Sequence, residues 1–172
     1  SLNIWVAPSL IPKCHPLATV DGVNNAILIE SYPLGEIMLY GPGAGSGPTA
    51  SSVVSDILNL QAALSKNISS KDPLLSFNFW RDCHIKEFNQ ISKKNYLRII
   101  CLDTPGVIGK IGDIFGKNNV SIESIVQLDA SEDKAEIVVI THEVNNGDFE
   151  RSKDEINSLN EVKIIASQLS CI

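Results

Sequence analysis

The feature that most constrains this sequence is the order of the apolar patterns between residues 96 and 166. Six segments follow one another there, and each has either the spacing of a strand or that of a helix. In chain order they are a strand at 96–102, a helix at 105–117, strands at 120–128 and 135–141, a helix that opens at 145–147, and a strand at 162–166. This order of strand, helix, strand, strand, helix, strand is the split βαβ pattern.

Residues that start and stop helices stand at the ends of the first helical segment. Thr104 is a capping residue type, and Pro105 suits the first position of a helix, so a helix is predicted to begin there. Asn118 and Asn119 are expected to end it. The fold predicted for residues 94–172 is therefore a ferredoxin-like βαββαβ domain.

Residues 1–65 are organised differently. Strand-like segments lie at 2–7, 26–30 and 36–40, and the last two are predicted to form a hairpin. Four glycines follow in residues 41–47, and then an apolar stripe at helical spacing predicts a helix over 49–65. The predicted class of the whole chain is α+β, with strands and a helix of an incomplete α/β domain followed by the ferredoxin-like domain.

The glycine loop allows two interpretations. A strand, a glycine loop and a helix can together hold a phosphate, and residues 45–50 match the pattern G-x-G-x-x-A. However, no acidic residue ends a second strand about 20 residues later, as a dinucleotide-binding fold requires. From these residues alone a structural turn is preferred, and a ligand loop is the alternative.

A second cluster of interest surrounds His15. Cys14 and His15, together with Cys83 and His84, lack the spacing of a zinc site. No metal site is therefore predicted, and His15 is expected to have a hinge or capping role.

Charge is distributed unevenly along the chain. Residues 1–65 contain five charged residues, whereas residues 94–172 contain twenty-one. Because an independent surface carries more charge than this, much of residues 1–65 is expected to face other protein. The first residue is Ser1 and the only methionine is Met38, which also predicts a fragment of a longer protein. The stretch between these parts, residues 66–93, is predicted to be a linker with an aromatic patch formed by Phe77, Phe79 and Trp80.

Composition excludes several classes of partner. The net charge is −6 and Lys and Arg form no cluster, which argues against nucleic acid. No apolar run approaches the roughly 20 residues that cross a bilayer, so no membrane partner is expected. The four cysteines are scattered without a C-x-x-C pair, as is typical of reduced thiols, and a cytoplasmic location is expected.

Two motifs in the ferredoxin-like part resemble those of an ACT domain. They are YLRIICLDTPGV at residues 96–107 and NVSIESIVQ at residues 119–127. The resemblance implies a regulatory module whose paired copies bind an amino acid at their interface.

Three blocks in the first part resemble the end of the catalytic region of homoserine dehydrogenase. They are LIPKCHPLA at 10–18, DGVNNAI at 21–27 and YGPGAGSGPTASSVVSDI at 40–57. The resemblance implies an enzyme that interconverts aspartate semialdehyde and homoserine with NADP or NAD. It places Gly43, Gly45 and Thr49 beside the ribose–nicotinamide end of the cofactor, which reverses the preference for a structural turn.

The same resemblance implies what this chain lacks. In the family, the nucleotide-binding domain, the catalytic lysine and the acidic substrate cluster precede the first block, so no catalytic residue is assigned. The chain alone is expected to be inactive and to bind no cofactor. The domains expected are a C-terminal part of the catalytic and dimerisation domain at 1–65, a linker at 66–93 and an ACT domain at 94–172, in a homodimer or larger homo-oligomer.

The ACT-like part has five candidate effector-binding residues. Asp103 would receive an ammonium group, and the backbone at Gly106 and Val107 would hold a carboxylate. Ser121 and Gln127 offer uncharged groups suited to a hydroxyl such as that of threonine, although another amino acid remains open. In the alternative interpretation, Asp103 only caps the helix and Gln127 is an exposed strand residue. The alternatives for the whole chain are a stand-alone amino-acid sensor and a dimerisation module without catalysis.

Overall fold

A computed structural model describes residues 1–65, 82–130 and 134–172 of the chain. The aromatic patch of the predicted linker, and residues 66–81 as a whole, lie outside the described residues. The chain divides into two compact units, one formed by Ser1–Ile11 together with Cys83–Ile172 and the other by Pro12–Asp82. The domain boundaries at 65 and 94 stay predictions, and the first eleven residues group with the C-terminal unit.

Strands and helices follow one another along both units. In chain order the described elements are β1 (Ser9–Leu10), β2 (Asn24–Ser31), β3 (Gly35–Pro42), α1 (Ser46–Ser65), β4 (Ser92–Leu102), α2 (Val107–Lys117), β5 (Ile122–Ala130), β6 (Lys134–Thr141), β7 (Val144–Asn145), α3 (Asn146–Asn157) and β8 (Val162–Cys171). Short 3-10 helices lie at Pro16–Thr19 and Phe88–Gln90. The predicted order of strand, helix, strand, strand, helix, strand is confirmed from β4 to β8.

The C-terminal unit is one sheet with two helices. Its strands are ordered β1-β8-β4-β6-β5, and the short β7 pairs with the beginning of β4. The pairs β4–β6, β4–β8 and β5–β6 are antiparallel, whereas β1 is parallel to β8. This arrangement places the end of β4 and the beginning of α2 at the end of the sheet where the candidate site lies.

The core forms because strand and helix periods bring apolar residues together. In β4 every second residue from Leu97 to Cys101 is fully buried, and in α2 the buried residues Val107, Ile111 and Phe115 are four positions apart. Phe149 and Ile156 of α3 join the same cluster. Full burial of one such side chain stabilises the fold by about 1.5–3 kcal/mol.

The helix α2 does not begin where the sequence predicts. It begins at Val107, its N-cap is Gly106, and neither Thr104 nor Pro105 lies in the helix. Gly106 has φ of 91°, in the left-handed region that glycine adopts without strain, so the chain turns into the helix two residues later than expected. The predicted end is confirmed, because Asn118 is the C-cap.

The N-terminal strand prediction is wrong. Residues 2–7 form no strand, and only Leu2 makes an isolated parallel bridge, to Ile85. The strand lies instead at Ser9–Leu10, where β1 pairs with the end of β8. Alternating apolar residues alone do not form a strand, because each strand needs a partner for its backbone groups.

The second unit contains the predicted hairpin and helix. β2 and β3 pair antiparallel, from Asn24 opposite Pro42 to Ser31 opposite Gly35. The helix α1 begins at Ser46, three residues before the predicted start. None of the described residues from 12 to 65 is buried. Across the described ranges, no helix combines the length and apolarity that a membrane crossing requires.

Candidate functional site

A cavity of about 410 Å³ opens where β4 ends and α2 begins. Its rim is formed by the turn from Asp103 to Gly106, together with Gln127 from β5, and its floor is formed by residues that face the helices. The cavity is there because the turn leaves the sheet before the helix crosses back over it. It brings together four of the five predicted effector residues, namely Asp103, Gly106, Val107 and Gln127.

Asp103 and Gln127 are joined directly across the cavity. The Gln127 side chain donates a hydrogen bond from Nε2 to Oδ1 of Asp103 over 3.0 Å. Both residues are exposed. Gln127 lies in β5 and Asp103 directly follows β4, and these two strands flank β6 on either side. The second carboxylate oxygen of Asp103 accepts no hydrogen bond from the part of the chain that the structure describes. This oxygen is therefore free to accept from a positively charged ligand group.

The opposite wall is the beginning of α2. Val107 N–H reaches Thr104 O only at 3.4 Å, and the first regular bond of the helix joins Lys110 N–H to Gly106 O at 3.0 Å. The first turn of a helix has unpaired N–H groups and a partial positive charge, which favour an anion. No Lys, Arg or His lies among the described residues that line the cavity. A ligand carboxylate would therefore be held by backbone groups of this turn.

The floor of the cavity is apolar. Cys101, Ala135 and Ile137 lie there, with 2% exposure or less, because they occupy the helix-facing positions of β4 and β6. Burial, with a smaller effect of the nearby Asp103, raises the pKa of the Cys101 thiol above its ordinary value. The floor therefore offers a neutral thiol and aliphatic groups to a short side chain. These residues were not predicted as site residues.

The structure does not bring Ser121 to this cavity. Ser121 immediately precedes β5, and its carbonyl oxygen accepts from His142 N–H over 2.9 Å. Gln127 lies six residues further along, and at about 3.3 Å per residue the two are roughly 20 Å apart. Within one copy of the chain, Ser121 and Gln127 therefore lie far apart along β5, and their shared role in one effector site stays a prediction.

The glycine loop lies between β3 and α1. Gly43 N–H donates to Val23 O over 2.9 Å, and a Cβ on Gly43 would stand 2.2 Å from Nδ2 of Asn25. Gly45 has φ of 123°, and its carbonyl oxygen accepts from Thr49 N–H over 3.1 Å. The three predicted cofactor residues thus share one exposed loop and the first turn of α1. The atoms that a Cβ on Gly43 would meet all belong to the exposed side chain of Asn25, which can move aside.

His15 has the capping role that was predicted. Its Nδ1 accepts a hydrogen bond from Leu17 N–H over 3.2 Å and caps the 3-10 helix Pro16–Thr19. In the described ranges, no three His, Cys, Asp or Glu side chains are grouped so that they could hold a metal ion.

Comparisons with known proteins agree with this architecture. The sequence model of the homoserine dehydrogenase family matches residues 1–58, and that of the ACT domain matches residues 95–161. Homoserine dehydrogenase from Synechocystis is 44% identical over 169 residues, which are 97% of this chain and 39% of that protein. The enzyme from Bacillus subtilis is 35% identical over 170 residues, which are 95% of this chain and 37% of that protein.

A solved structure matches nearly the whole chain. The homoserine dehydrogenase from Thiobacillus denitrificans has a TM-score of 0.89 at 28% identity, over 99% of this chain and 39% of that one. The chain spans about two fifths of the length of the relatives it matches. The chain is therefore similar, over nearly its whole length, to the C-terminal region of homoserine dehydrogenases, including an ACT domain.

Proposed function

We propose that the cavity between Asp103 and the beginning of α2 binds a free amino acid that regulates a homoserine dehydrogenase. The observation that carries the proposal is the pairing of one acidic side chain with an open helix N-terminus across an apolar floor. An amino acid has an ammonium group and a carboxylate on one carbon, so its two charges match the two walls. We expect threonine to be the effector, because Gln127 can donate to or accept from a hydroxyl.

In the proposed site, Ser121 comes from a second copy of the chain and offers its uncharged hydrogen-bonding group to the ligand. In the described part of the sheet, β5 is an edge strand, and its residues Val126 and Leu128 are 49% and 48% exposed. If two copies pair along β5 in the antiparallel sense, the beginning of one β5 lies beside the end of the other. Ser121 of the second copy then lies near the cavity of the first copy, at the end of the sheet where Asp103 is. The proposed assembly is therefore a homodimer or a larger oligomer.

The same proposal assigns the glycine loop to the cofactor of the dehydrogenase. A Cβ added at Gly41 or Gly47 would meet no atom within 4 Å, so these positions of the loop are open to a ligand. Gly43, Gly45 and Thr49 would hold the ribose–nicotinamide part of NADP or NAD, which supplies or accepts the hydride. The exposed apolar side of α1, with Ile57 and Leu60 at 57% and 59% exposure, would pack on the preceding nucleotide-binding region of the enzyme.

Titration calorimetry with L-threonine tests the effector site on this chain directly, with L-homoserine and NADPH as comparison ligands. Asp103→Asn removes the charge but keeps an oxygen that can accept from Gln127. A hydrogen bond to a charged group contributes about 1.5–3 kcal/mol, and exposure reduces this, so we expect affinity to fall about tenfold. Asp113→Asn is the matched control, because Asp113 is an exposed carboxylate of α2 that does not line the cavity.

Saturable binding that Asp103→Asn weakens and Asp113→Asn leaves unchanged supports the proposal. If a well-folded chain binds no threonine, the regulatory assignment fails. The dehydrogenase assignment has its own test, in which this chain replaces the matching region of the Synechocystis enzyme. The chimera should oxidise homoserine with NADP or NAD, and a folded chimera without activity would contradict the assignment.

A further inference from the structure

The first residues of the chain pair with the edge of β8, although their sequence matches the homoserine dehydrogenase model and not the ACT model. Residues 1–58 match the homoserine dehydrogenase model, yet Ser1–Ile11 groups structurally with the ACT unit. We call Ser1–Ile11 the N-terminal strap. It leads directly into Pro12, the first residue of the other unit, so a displacement of the strap moves the start of that unit.

Main-chain hydrogen bonds hold the strap at two places. Leu2 lies between two residues of the segment before β4, because its N–H donates to His84 O over 2.8 Å and its carbonyl accepts from Lys86 N–H over 3.0 Å. Further along, Ser170 N–H donates to Pro8 O over 3.3 Å and Ile172 N–H donates to Leu10 O over 3.0 Å.

Side-chain burial does not account for this attachment. Within the strap, Leu2, Ile4 and Leu10 remain between 41% and 56% exposed, and Val6 is completely exposed. The strap is therefore attached mainly through backbone pairing, as an added strand is at a sheet edge.

The other end of β8 is tied to both walls of the cavity. Leu102 N–H, next to Asp103, donates to Glu161 O over 2.8 Å, and Lys110 of α2 pairs with Glu161 Oε1 over 2.5 Å. Glu161 immediately precedes β8, and Val162 is paired with the cavity-floor residue Cys101. A ligand that moves the beginning of α2 or the end of β4 thus acts on the first residues of β8.

The ladder between β4 and β8 is irregular between these two ends. Its register shifts between Arg98 and Ile99 and again between Ile100 and Cys101. A bulge interrupts regular pairing and locally changes the direction of a strand. A movement of the part of β8 beside the cavity would pass these two irregularities before it reached Ser170 and the strap.

We propose that the observed pairing of the N-terminal strap with β8 links effector binding at the cavity to the dehydrogenase part of the chain. The inference rests on the proposed effector site for its ligand. Energetic coupling between two sites is reciprocal, so a strap that cannot dock must also change the affinity of the effector.

Two proline variants distinguish loss of the pairing between the strap and β8 from a general effect of proline on the strap. Because Leu10 O accepts from β8, the parallel ladder directs Leu10 N–H to β8 as well, whereas Ser9 N–H points away. Leu10→Pro therefore removes a donor of the ladder. Ser9→Pro is the matched control, because it adds the same ring without loss of a ladder bond and removes only the exposed hydrogen bond from Ser9 Oγ to Ala7 O. Hydrogen exchange of the Ser170 and Ile172 amides reports docking, and exchange at Leu97 in the core reports whether the sheet remains folded.

In the unaltered chain we expect the Ser170 and Ile172 amides to be protected. Leu10→Pro should accelerate their exchange about tenfold, which corresponds to one lost hydrogen bond, while Leu97 stays protected. The same variant should raise the Kd of L-threonine about fivefold or more. Ser9→Pro should change neither quantity.

Three results would overturn parts of this picture, and they are distinguishable. Unprotected Ser170 and Ile172 amides in the unaltered chain would show that the strap does not dock. Faster exchange in Leu10→Pro with an unchanged Kd would show that docking and effector binding are independent. If the unaltered chain binds no threonine, the proposed effector and its coupling fail together, and exchange then decides by itself whether the strap docks.

Discussion

Replacing Gly106 by alanine tests the turn that forms one wall of the cavity. Gly106 is the N-cap of α2 with φ of 91°, and a Cβ added there meets no atom within 4 Å. Steric collision therefore contributes nothing, and the cost arises from the backbone conformation alone. A left-handed conformation costs a residue other than glycine about 1–2 kcal/mol, so Gly106→Ala should destabilise the ACT unit by that amount.

Gly112→Ala is the matched control in the same helix. Gly112 lies inside α2, and its added Cβ also meets nothing within 4 Å. Alanine is more favourable than glycine inside a helix by about 0.5–1 kcal/mol, so this variant should be more stable than the unaltered chain. The same chemical change is thus expected to have opposite signs at two positions six residues apart, with a difference of about 1.5–3 kcal/mol between the variants.

Thermal unfolding followed by circular dichroism measures both effects. For a unit of this size, each kcal/mol shifts Tm by about 4–8 °C, so the two variants should be clearly separated. Threonine titration of Gly106→Ala adds a functional measurement, because a changed turn displaces the N–H groups that would hold the carboxylate. An unchanged or raised Tm for Gly106→Ala would refute the left-handed N-cap and the wall built on it.

Three further predictions concern the core, the acid stability and the thiols. Ile111→Ala should lower the free energy of unfolding by about 3–4 kcal/mol, because Ile111 is fully buried. Ile108→Ala, at a position 39% exposed on the same helix, should lower it by about 1 kcal/mol. Denaturant unfolding measures both values, and equal losses would contradict the packing of α2. Burial opposes ionisation of Glu150, but hydrogen bonds from Lys153 and Gln168 outweigh it and hold the pKa of Glu150 below its ordinary value. The stability that the Glu150 carboxylate contributes is therefore complete above its pKa in the unfolded chain and is lost as pH falls through its pKa in the folded chain. Glu150→Gln should therefore reduce the fall of Tm with decreasing acidic pH. An unchanged dependence of Tm on acidic pH would contradict this role of Glu150. Because burial raises the pKa of the Cys101 thiol, iodoacetamide at neutral pH should modify the exposed Cys14 and spare Cys101 until the chain unfolds, as mass spectrometry of peptides can show.

Local patterns predicted most of the C-terminal unit. The alternation in β4 and the spacing of Val107, Ile111 and Phe115 each depend on residues close together in sequence, and both are present in the structure. The hairpin of β2 and β3 was predicted for the same reason, since a short turn joins its strands. Four of the five candidate effector residues line one cavity, because the end of a strand and the start of the next helix are adjacent in the chain, and their role in binding stays a prediction.

Features that depend on distant partners were not predicted. Thr104 and Pro105 are residue types that often start a helix, but here they belong to the turn after β4, and the helix begins at Val107. Likewise, β1 has only two residues, too few for a periodic signal, and it forms because Ser170 and Ile172 at the other end of the chain direct N–H groups toward it. Ser121 was grouped with Gln127 on strand identity, whereas their separation follows from the length of β5.

The sequence by itself determined the order of elements, the faces that become buried and the chemistry available at the Asp103 turn, because these follow from short-range spacing and residue type. Only the tertiary structure decided that the first eleven residues join the ACT unit, that Cys101, Ala135 and Ile137 form the floor of the cavity, and that Ser121 does not line it. The physical reason is the same in each case. Pairing between strands far apart in the chain depends on backbone groups that need a partner and on the register of the strands, and neither can be recognised from a short stretch of sequence.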